Sequence, residues 1–372
     1  LNFRAERAQV ARKTRTFVAL LSETAPAYLF GIKHDSEDTM KTTQFADTDA
    51  QVSVMALGCL PFGTKLDKAQ SYALLDYYAE VGGNFLDTAN NYSFWEPNGK
   101  GGESEAILGD WFRDRGNREK IFLATKLGAY PTVARDEFFS YRGNPWEDLT
   151  QGLSRAVIFD AVDKSLARLG TDYIDLLYAH VDDCTVDQEE TLEAFDALVK
   201  SGKVRHIGCS NFKVWRTARA REISRARGWA SYEAVQMFHT YFQTEKGAAT
   251  GMSDQMGDEI FDYVRSGNRM SLLGYTPLLW GSYTQTHKYQ EIDRLANFAR
   301  PQNDERRKRL ERVASETGAT VNQVIYAWMM QNDPPVIPLV AVSKLEHLKE
   351  DLASVDIALS ADQVALLNAP LN

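Results

Sequence analysis

Cysteine is scarce: Cys59, Cys184 and Cys209 are the only three in 372 residues, an odd number with no paired spacing. A disulfide framework is thereby excluded as the basis of the fold, and a reducing, cytoplasmic setting is expected. Long apolar runs are missing too. None approaches the ~20 residues of a membrane helix, and FVALL at 17–21 is too short for the core of a signal peptide. No C-x-x-C or H-x-x-x-H pair occurs, and His180, His206 and His239 belong to separate segments, so no metal centre is expected. An excess of positive charge is also absent. With 42 basic and 51 acidic residues the net charge is −9, which argues against nucleic acid as a partner. The one dense basic run, DERRKRLERV at 304–313, is broken by acids at helical spacing and reads as a solvated helix face.

What is present is alternation. A hairpin is expected over 41–46 and 51–54, joined by a turn at 47–50. Short β-rich runs then recur at 53–58, 84–87, 121–126, 174–180, 204–210, 234–238, 271–275 and 336–341. Between them lie segments of helical period, among them 68–82, 153–170, 189–202 and 320–332, with Gly82, Gly170 and Gly202 closing three as C-terminal caps. Eight strands alternating with helices predict an α/β fold, a (β/α)8 barrel with an N-terminal β-hairpin. A doubly wound open sheet is the alternative. It would need a G-x-G-x-x-G turn after its first strand, which LGCLPFG at 57–63 does not supply. The barrel domain is expected over 40–372. Residues 1–39, with five Arg or Lys in the first fifteen and no strand-and-helix grammar, read as an extension without an assigned role; an Arg-rich transit segment is the weaker reading.

Four reactive side chains stand where strand-like runs stop: Asp87 and Tyr92 in GGNFLDTANNY (82–92), Lys126 in IFLATKLG (121–128) and His180 in DYIDLLYAH (172–180). C-terminal strand ends converge on one face of a barrel. Brought together, these residues would set a phenol beside an ammonium held by a carboxylate, with an imidazole nearby. Such a group can hand a proton to a carbonyl oxygen. A free phenol, with a pKa of ~10, is a sluggish acid near neutrality, and a cation within ~4–6 Å eases its ionisation.

With GESEAILG (102–109), GKVRHIGCSNF (202–212), VQ (235–236), YTPLLWG (275–281) and VIPLVAVSKLEHLKEDL (336–352) added in order, residues 40–372 resemble the aldo-keto reductase superfamily. The longer loops are most similar to its bacterial and potassium-channel-β-like branches. The resemblance implies a catalytic tetrad of Asp87, Tyr92, Lys126 and His180. It implies nicotinamide contacts from Ser210, Asn211 and Gln236, and ring stacking on Tyr275. It also implies a cofactor lining from Gly58 and from Leu278 to Gly281, with Ser343, Lys344 and His347 at the adenosine phosphate. The cofactor expected is NADP(H), with NAD(H) as the alternative, and the partner a small carbonyl or alcohol. Oligomeric state is left open. The chain departs from the family pattern at Ala341, His347 and Asp351, where glycine, a basic residue or glutamine, and asparagine are usual.

Each residue also has a plainer reading. Asp87 and Ser210 suit helix or turn caps, and Ser343 with Glu346 fits an S-x-x-E capping box. Cys59 and Cys209 suit small buried hydrophobes. Trp95, Phe138, Tyr141 and Trp146, in two strand-to-helix loops, are expected to shape a substrate pocket, though aromatic loops also pack against themselves. Two other functions use the same barrel: a nucleotide-sensing binding protein with little turnover, and an aldolase with Lys126 as a Schiff-base lysine.

Overall fold

The computed structural model describes residues 40–244, 255–285 and 293–371. The extension expected over 1–39 lies outside them. The chain enters through β1 (Thr42–Gln44) and β2 (Gln51–Ser53), an antiparallel hairpin in which Thr43 pairs with Val52. Eight further strands follow: β3 (Ala56–Gly58), β4 (Phe85–Asp87), β5 (Phe122–Leu127), β6 (Ile174–Ala179), β7 (Val204–Ser210), β8 (Tyr232–Phe238), β9 (Ser271–Tyr275) and β10 (Val336–Val340). All pair in parallel with their sequence neighbours, and β10 closes the ring on β3. This is the (β/α)8 barrel with an N-terminal hairpin that the alternation predicts.

The interior explains the sequence pattern. Barrel strands are covered on both faces, so β5 and β6 are buried along their whole length and read as continuous apolar runs. Inward residues Ala56, Phe85, Phe122, Ala124, Leu176, Tyr178, Ala234, Leu273, Ile337 and Leu339 form one cluster with Phe45, Ala46 and Val52 of the hairpin. Phe45 packs tilted against Phe122 at 4.9 Å and meets Phe85 edge-on at 6.5 Å. The hairpin therefore plugs the barrel at the end where the strands begin. Outside, helices Lys68–Glu80, Glu103–Arg115, Arg155–Leu169, Gln188–Lys200, Val214–Arg227, Pro301–Thr317 and Val321–Gln331 present their apolar sides to the strands. Among the described residues, no helix is long and apolar enough to cross a membrane.

Two local expectations are corrected. The basic run at 304–313 lies in the helix Pro301–Thr317, and only half of it is a solvated face. Glu305 pairs there with Lys308, and Arg312 with Glu316. On the inner side Arg306 is buried over the Tyr241 ring, Arg307 donates to the Tyr283 carbonyl at 2.5 Å, and Arg309 donates to the Ala369 carbonyl at 2.5 Å. Backbone carbonyls left open by neighbouring loops thus recruit guanidiniums that composition assigned to water. The capping box of Ser343 and Glu346 does not form either. The helix Leu345–Leu352 starts one residue later than that box requires, with Lys344 at its N-cap and no side-chain cap.

Asp351, the residue that stands where the family pattern has asparagine, is 4% exposed in the last turn of this helix. It accepts one long hydrogen bond, 3.3 Å, from Tyr326. Burial, reinforced by Glu350, pushes its carboxyl up to about 7. An unfolded aspartate ionises near 3.9, so the folded state binds the extra proton between the two values. Its contribution is fully present below about pH 4 and is lost as pH rises through about 7, with roughly 4 kcal/mol as a ceiling. Asp351→Asn is accordingly expected to raise the melting temperature more at pH 8 than at pH 5. Calorimetry at the two values checks this, and equal shifts would contradict it.

Candidate active site

Where the strands end, Lys126 and Asp87 are drawn together across adjacent strands. Both point inward and both are essentially inaccessible, at 0% and 1% exposure. The Lys126 ammonium donates to Asp87 Oδ1 at 2.5 Å, to the Thr88 carbonyl at 2.8 Å and to the Tyr92 hydroxyl oxygen at 2.9 Å. An ammonium has three protons and accepts nothing, so its capacity is fully used. Burial lowers its pKa, and Asp87 works against that fall. The second oxygen of Asp87 accepts from Gln236 Nε2 at 2.8 Å.

Tyr92 is carried into place by the loop after β4, whose backbone is tied to β5 by Asn90 N–H donating to the Lys126 carbonyl at 3.0 Å. Its phenol is pushed well above its ordinary value, first by burial and then by the charge of Asp87. The depression by Lys126 that the sequence leads one to expect is not found: burial and the Asp87 charge set the direction. Because the Tyr92 oxygen accepts from Lys126, its own hydrogen is left to point elsewhere. The His180 ring meets that of Tyr92 edge-on at 6.0 Å. Burial and the Lys126 charge hold the imidazole well below its usual range, so it is neutral near pH 7, and Nδ1 has no partner.

A second group lies beside the first. Asn211, with a left-handed φ of 62°, donates from its side chain to the His180 carbonyl at 2.9 Å and to Ser210 Oγ at 3.1 Å. Tyr275 donates its hydroxyl to Asn211 Oδ1 at 2.7 Å. Ser210 is no helix cap, since the next helix starts at Val214 with Lys213 at its N-cap. After β9 the turn that includes Leu278 and Gly281 carries three non-glycine residues with positive φ: Thr276 at 57°, Leu279 at 47° and Trp280 at 54°. Such conformations are costly, about 1–3 kcal/mol each, and collect where backbone must be presented to a ligand. Gly58, at the end of β3, faces Ala341, whose Cβ would lie 3.4 Å from any Cβ placed on residue 58. That is how the seam accommodates alanine where glycine is usual. Ser343, Lys344 and His347 are exposed at the start of the helix Leu345–Leu352, apart from the Lys126 network, and Lys344 reaches Glu346 at 3.7 Å.

The aromatic loop residues separate. Trp95 packs edge-on against Tyr92 at 5.8 Å. Phe138 is fully buried among Phe94, Phe139 and Trp146, the last at 5.0 Å, while Tyr141 is 42% exposed. Phe138 is therefore the centre of its loop's own core. Sequence reasoning missed the Thr88 carbonyl, for which no side-chain signal exists. It also missed Tyr178, whose ring centroid lies 5.9 Å below the Lys126 ammonium; its place on β6, two residues before His180, was the available clue. Buried Glu105, which accepts from Thr125 at 2.6 Å and from Arg168 at 2.7 Å behind β5, was legible only as part of a motif.

The Aldo/keto reductase family profile matches residues 54–371. Norsolorinic acid reductase B of Aspergillus parasiticus is 32% identical over 337 residues, 86% of this chain and 81% of its own. The aryl-alcohol dehydrogenase [NADP(+)] of Phanerodontia chrysosporium is 31% identical, over 85% of this chain and 82% of its own. An uncharacterized oxidoreductase of Bacillus subtilis is 30% identical, over 88% and 95%.

From the packing of its loop, Phe138→Ala is expected to cost about 3 kcal/mol, the scale for emptying a buried phenylalanine site. Denaturant unfolding followed by tryptophan fluorescence measures it. A loss below about 0.5 kcal/mol would mean that the loop core does not hold the ring as drawn.

Proposed function

The chain belongs to the aldo/keto reductase family, and from that premise we propose that it is an NADPH-dependent oxidoreductase that reversibly reduces an aldehyde or ketone to the alcohol, with Tyr92 as the general acid. The observation that carries this reading is the full commitment of Lys126. Its three protons go to Asp87, the Thr88 carbonyl and the Tyr92 oxygen, which leaves the Tyr92 hydrogen directed at an incoming acceptor.

A nicotinamide bound beside Ser210, Asn211 and Gln236 would supply the hydride, and the chain would supply the proton and the geometry. As charge builds on the carbonyl oxygen, the Tyr92 proton moves to it and the phenolate left behind faces the ammonium at hydrogen-bond distance. Asp87 keeps Lys126 charged against the pull of burial. Neutral His180, beside Tyr92, serves as a hydrogen-bond donor that fixes the carbonyl oxygen, and its neutrality avoids a second cation next to Lys126. Trp95 forms the pocket wall nearest the acid. The names of two relatives, a norsolorinic acid reductase and an aryl-alcohol dehydrogenase, favour an aromatic carbonyl as substrate, with Tyr141 and Trp146 as further candidates to meet it.

The residues present fit a dinucleotide. Asn211 links Ser210 to the Tyr275 hydroxyl, Gln236 reaches Asp87, and the turn with left-handed Thr276, Leu279 and Trp280 follows Tyr275. The uncapped start of the helix Leu345–Leu352 leaves amides for a phosphate, with Lys344 exposed beside them. NADP over NAD rests on that lysine and on the cofactor named for the fungal dehydrogenase. Three unpaired cysteines, two of them buried, favour a cytoplasmic setting.

Tyr92→Phe removes only the hydroxyl. It is expected to lower carbonyl reduction by about 10²–10⁴-fold while NADPH affinity stays within a few-fold. Steady-state oxidation of NADPH against a carbonyl panel, aromatic and aliphatic, measures this. More than about a third of the wild-type rate would remove Tyr92 from the role. A wild type that binds NADPH but reduces nothing in the panel would return the chain to the nucleotide-sensing reading.

Lys344→Ala is expected to weaken NADPH by about 1–2 kcal/mol, the scale of a charge-assisted contact, and to leave NADH nearly unchanged. Fluorescence titration of both cofactors gives the comparison. Equal losses, or tighter binding of NADH by the wild type, would contradict the preference.

A further inference from the structure

Tyr178 stands on β6 two residues before His180 and shares its inward direction, which sets the ring in the barrel directly under the Lys126–Asp87 pair. The space is reserved for it. Its register partner on β7 is Gly208, where an added Cβ would come within 2.7 Å of the ring. The side chain is fully buried, yet the hydroxyl closes no hydrogen bond of full geometry. Burial and then the Asp87 carboxylate push its phenol up, while the Gln236 amide leans toward its oxygen, so what the hydroxyl lacks is an acceptor for its own proton. An orphaned buried hydroxyl costs about 1–3 kcal/mol, and phenylalanine would fill the same volume without that cost. A tyrosine here calls for a second arrangement in which the hydroxyl is used.

That arrangement follows from what Asp87 would lose. Its Oδ2 accepts from Gln236, and the proposed function needs the Gln236 amide for the nicotinamide carboxamide. If Gln236 turns away, a buried carboxylate is short of a donor, and Lys126 has no proton left to offer. We infer that Tyr178 is a positioning residue: its hydroxyl donates to Asp87 Oδ2 when Gln236 releases that oxygen, and so keeps the Asp87–Lys126 pair in register while the cofactor is held. No bond to hydrogen is broken; one hydrogen bond changes donor. The cofactor half of this inference rests on the nicotinamide reading of Gln236, whereas the exchange of donors does not.

The test is a cycle of Tyr178→Phe and Gln236→Leu, the leucine chosen to fill the volume of the glutamine, read by thermal unfolding of the ligand-free protein. In the wild-type background Tyr178→Phe is expected to leave the melting temperature unchanged or raise it. In the Gln236→Leu background, where the hydroxyl already serves Asp87, it is expected to lower it by about 2–4 °C. The same shift in both backgrounds would overturn the exchange. With Gln236 intact, Tyr178→Phe is further expected to weaken NADPH about tenfold, one hydrogen bond to a charged group. Coupling in the thermal cycle with unchanged NADPH affinity would uphold the exchange and remove Gln236 from the nicotinamide.

Discussion

The ion pair of Lys126 and Asp87 is the constraint around which the strand ends are arranged. Two charges at 0% and 1% exposure have given up nearly all their water, so every proton and lone pair must be met by protein. The loop after β4 contributes the Thr88 carbonyl and the Tyr92 phenol oxygen, and β8 contributes the Gln236 amide. Removing either ion would strand the other in a low-dielectric interior, which is why such pairs are weak sources of stability but strong constraints on geometry. The same desolvation keeps His180 neutral and raises the Tyr92 phenol.

Supports for the pair come from behind the strands as well. Thr125, the neighbour of Lys126, faces outward and is held by buried Glu105, which Arg168 neutralises in turn. Helices Glu103–Arg115 and Arg155–Leu169 are thus linked to the very strand that carries the ammonium. On the opposite side the arginines of the helix Pro301–Thr317 satisfy carbonyls of Tyr241 and Tyr283, near the end of β8 and after β9. Loops at this face are longer and less regular than the strands, and they are braced by charged side chains where a sheet would use its own ladder.

Much of this was legible beforehand because barrel strands obey simple rules. Buried parallel strands read as apolar runs, helices as three- and four-residue periods, and a polar residue at the end of an apolar run marks the site face. Lys126 and Asp87 emerged in that way. What stayed hidden involves backbone or long-range partners. The Thr88 carbonyl has no side-chain signature, and the inward turn of Arg306 depends on where the loops at Tyr241 and Tyr283 leave carbonyls open. Ser343 misled because its spacing to Glu346 matches a capping box, whereas the helix begins one residue beyond the start that box requires. Phe138 was grouped with pocket aromatics because composition cannot tell a ring facing a ligand from one facing Phe94 and Trp146.

The hairpin that carries Phe45 turns the barrel from a tube into a cup. With Phe45, Phe85 and Phe122 filling the base, the ammonium of Lys126 is shut off from below, and Tyr92 stands on its other side. The protons shared by Lys126, Asp87 and Tyr92 are therefore withdrawn from solvent, at 0% and 1% exposure of the ion pair. Whatever molecule covers the rim also isolates those protons from bulk solvent, so isotope exchange at the ion pair becomes a clock for how long the cup stays closed.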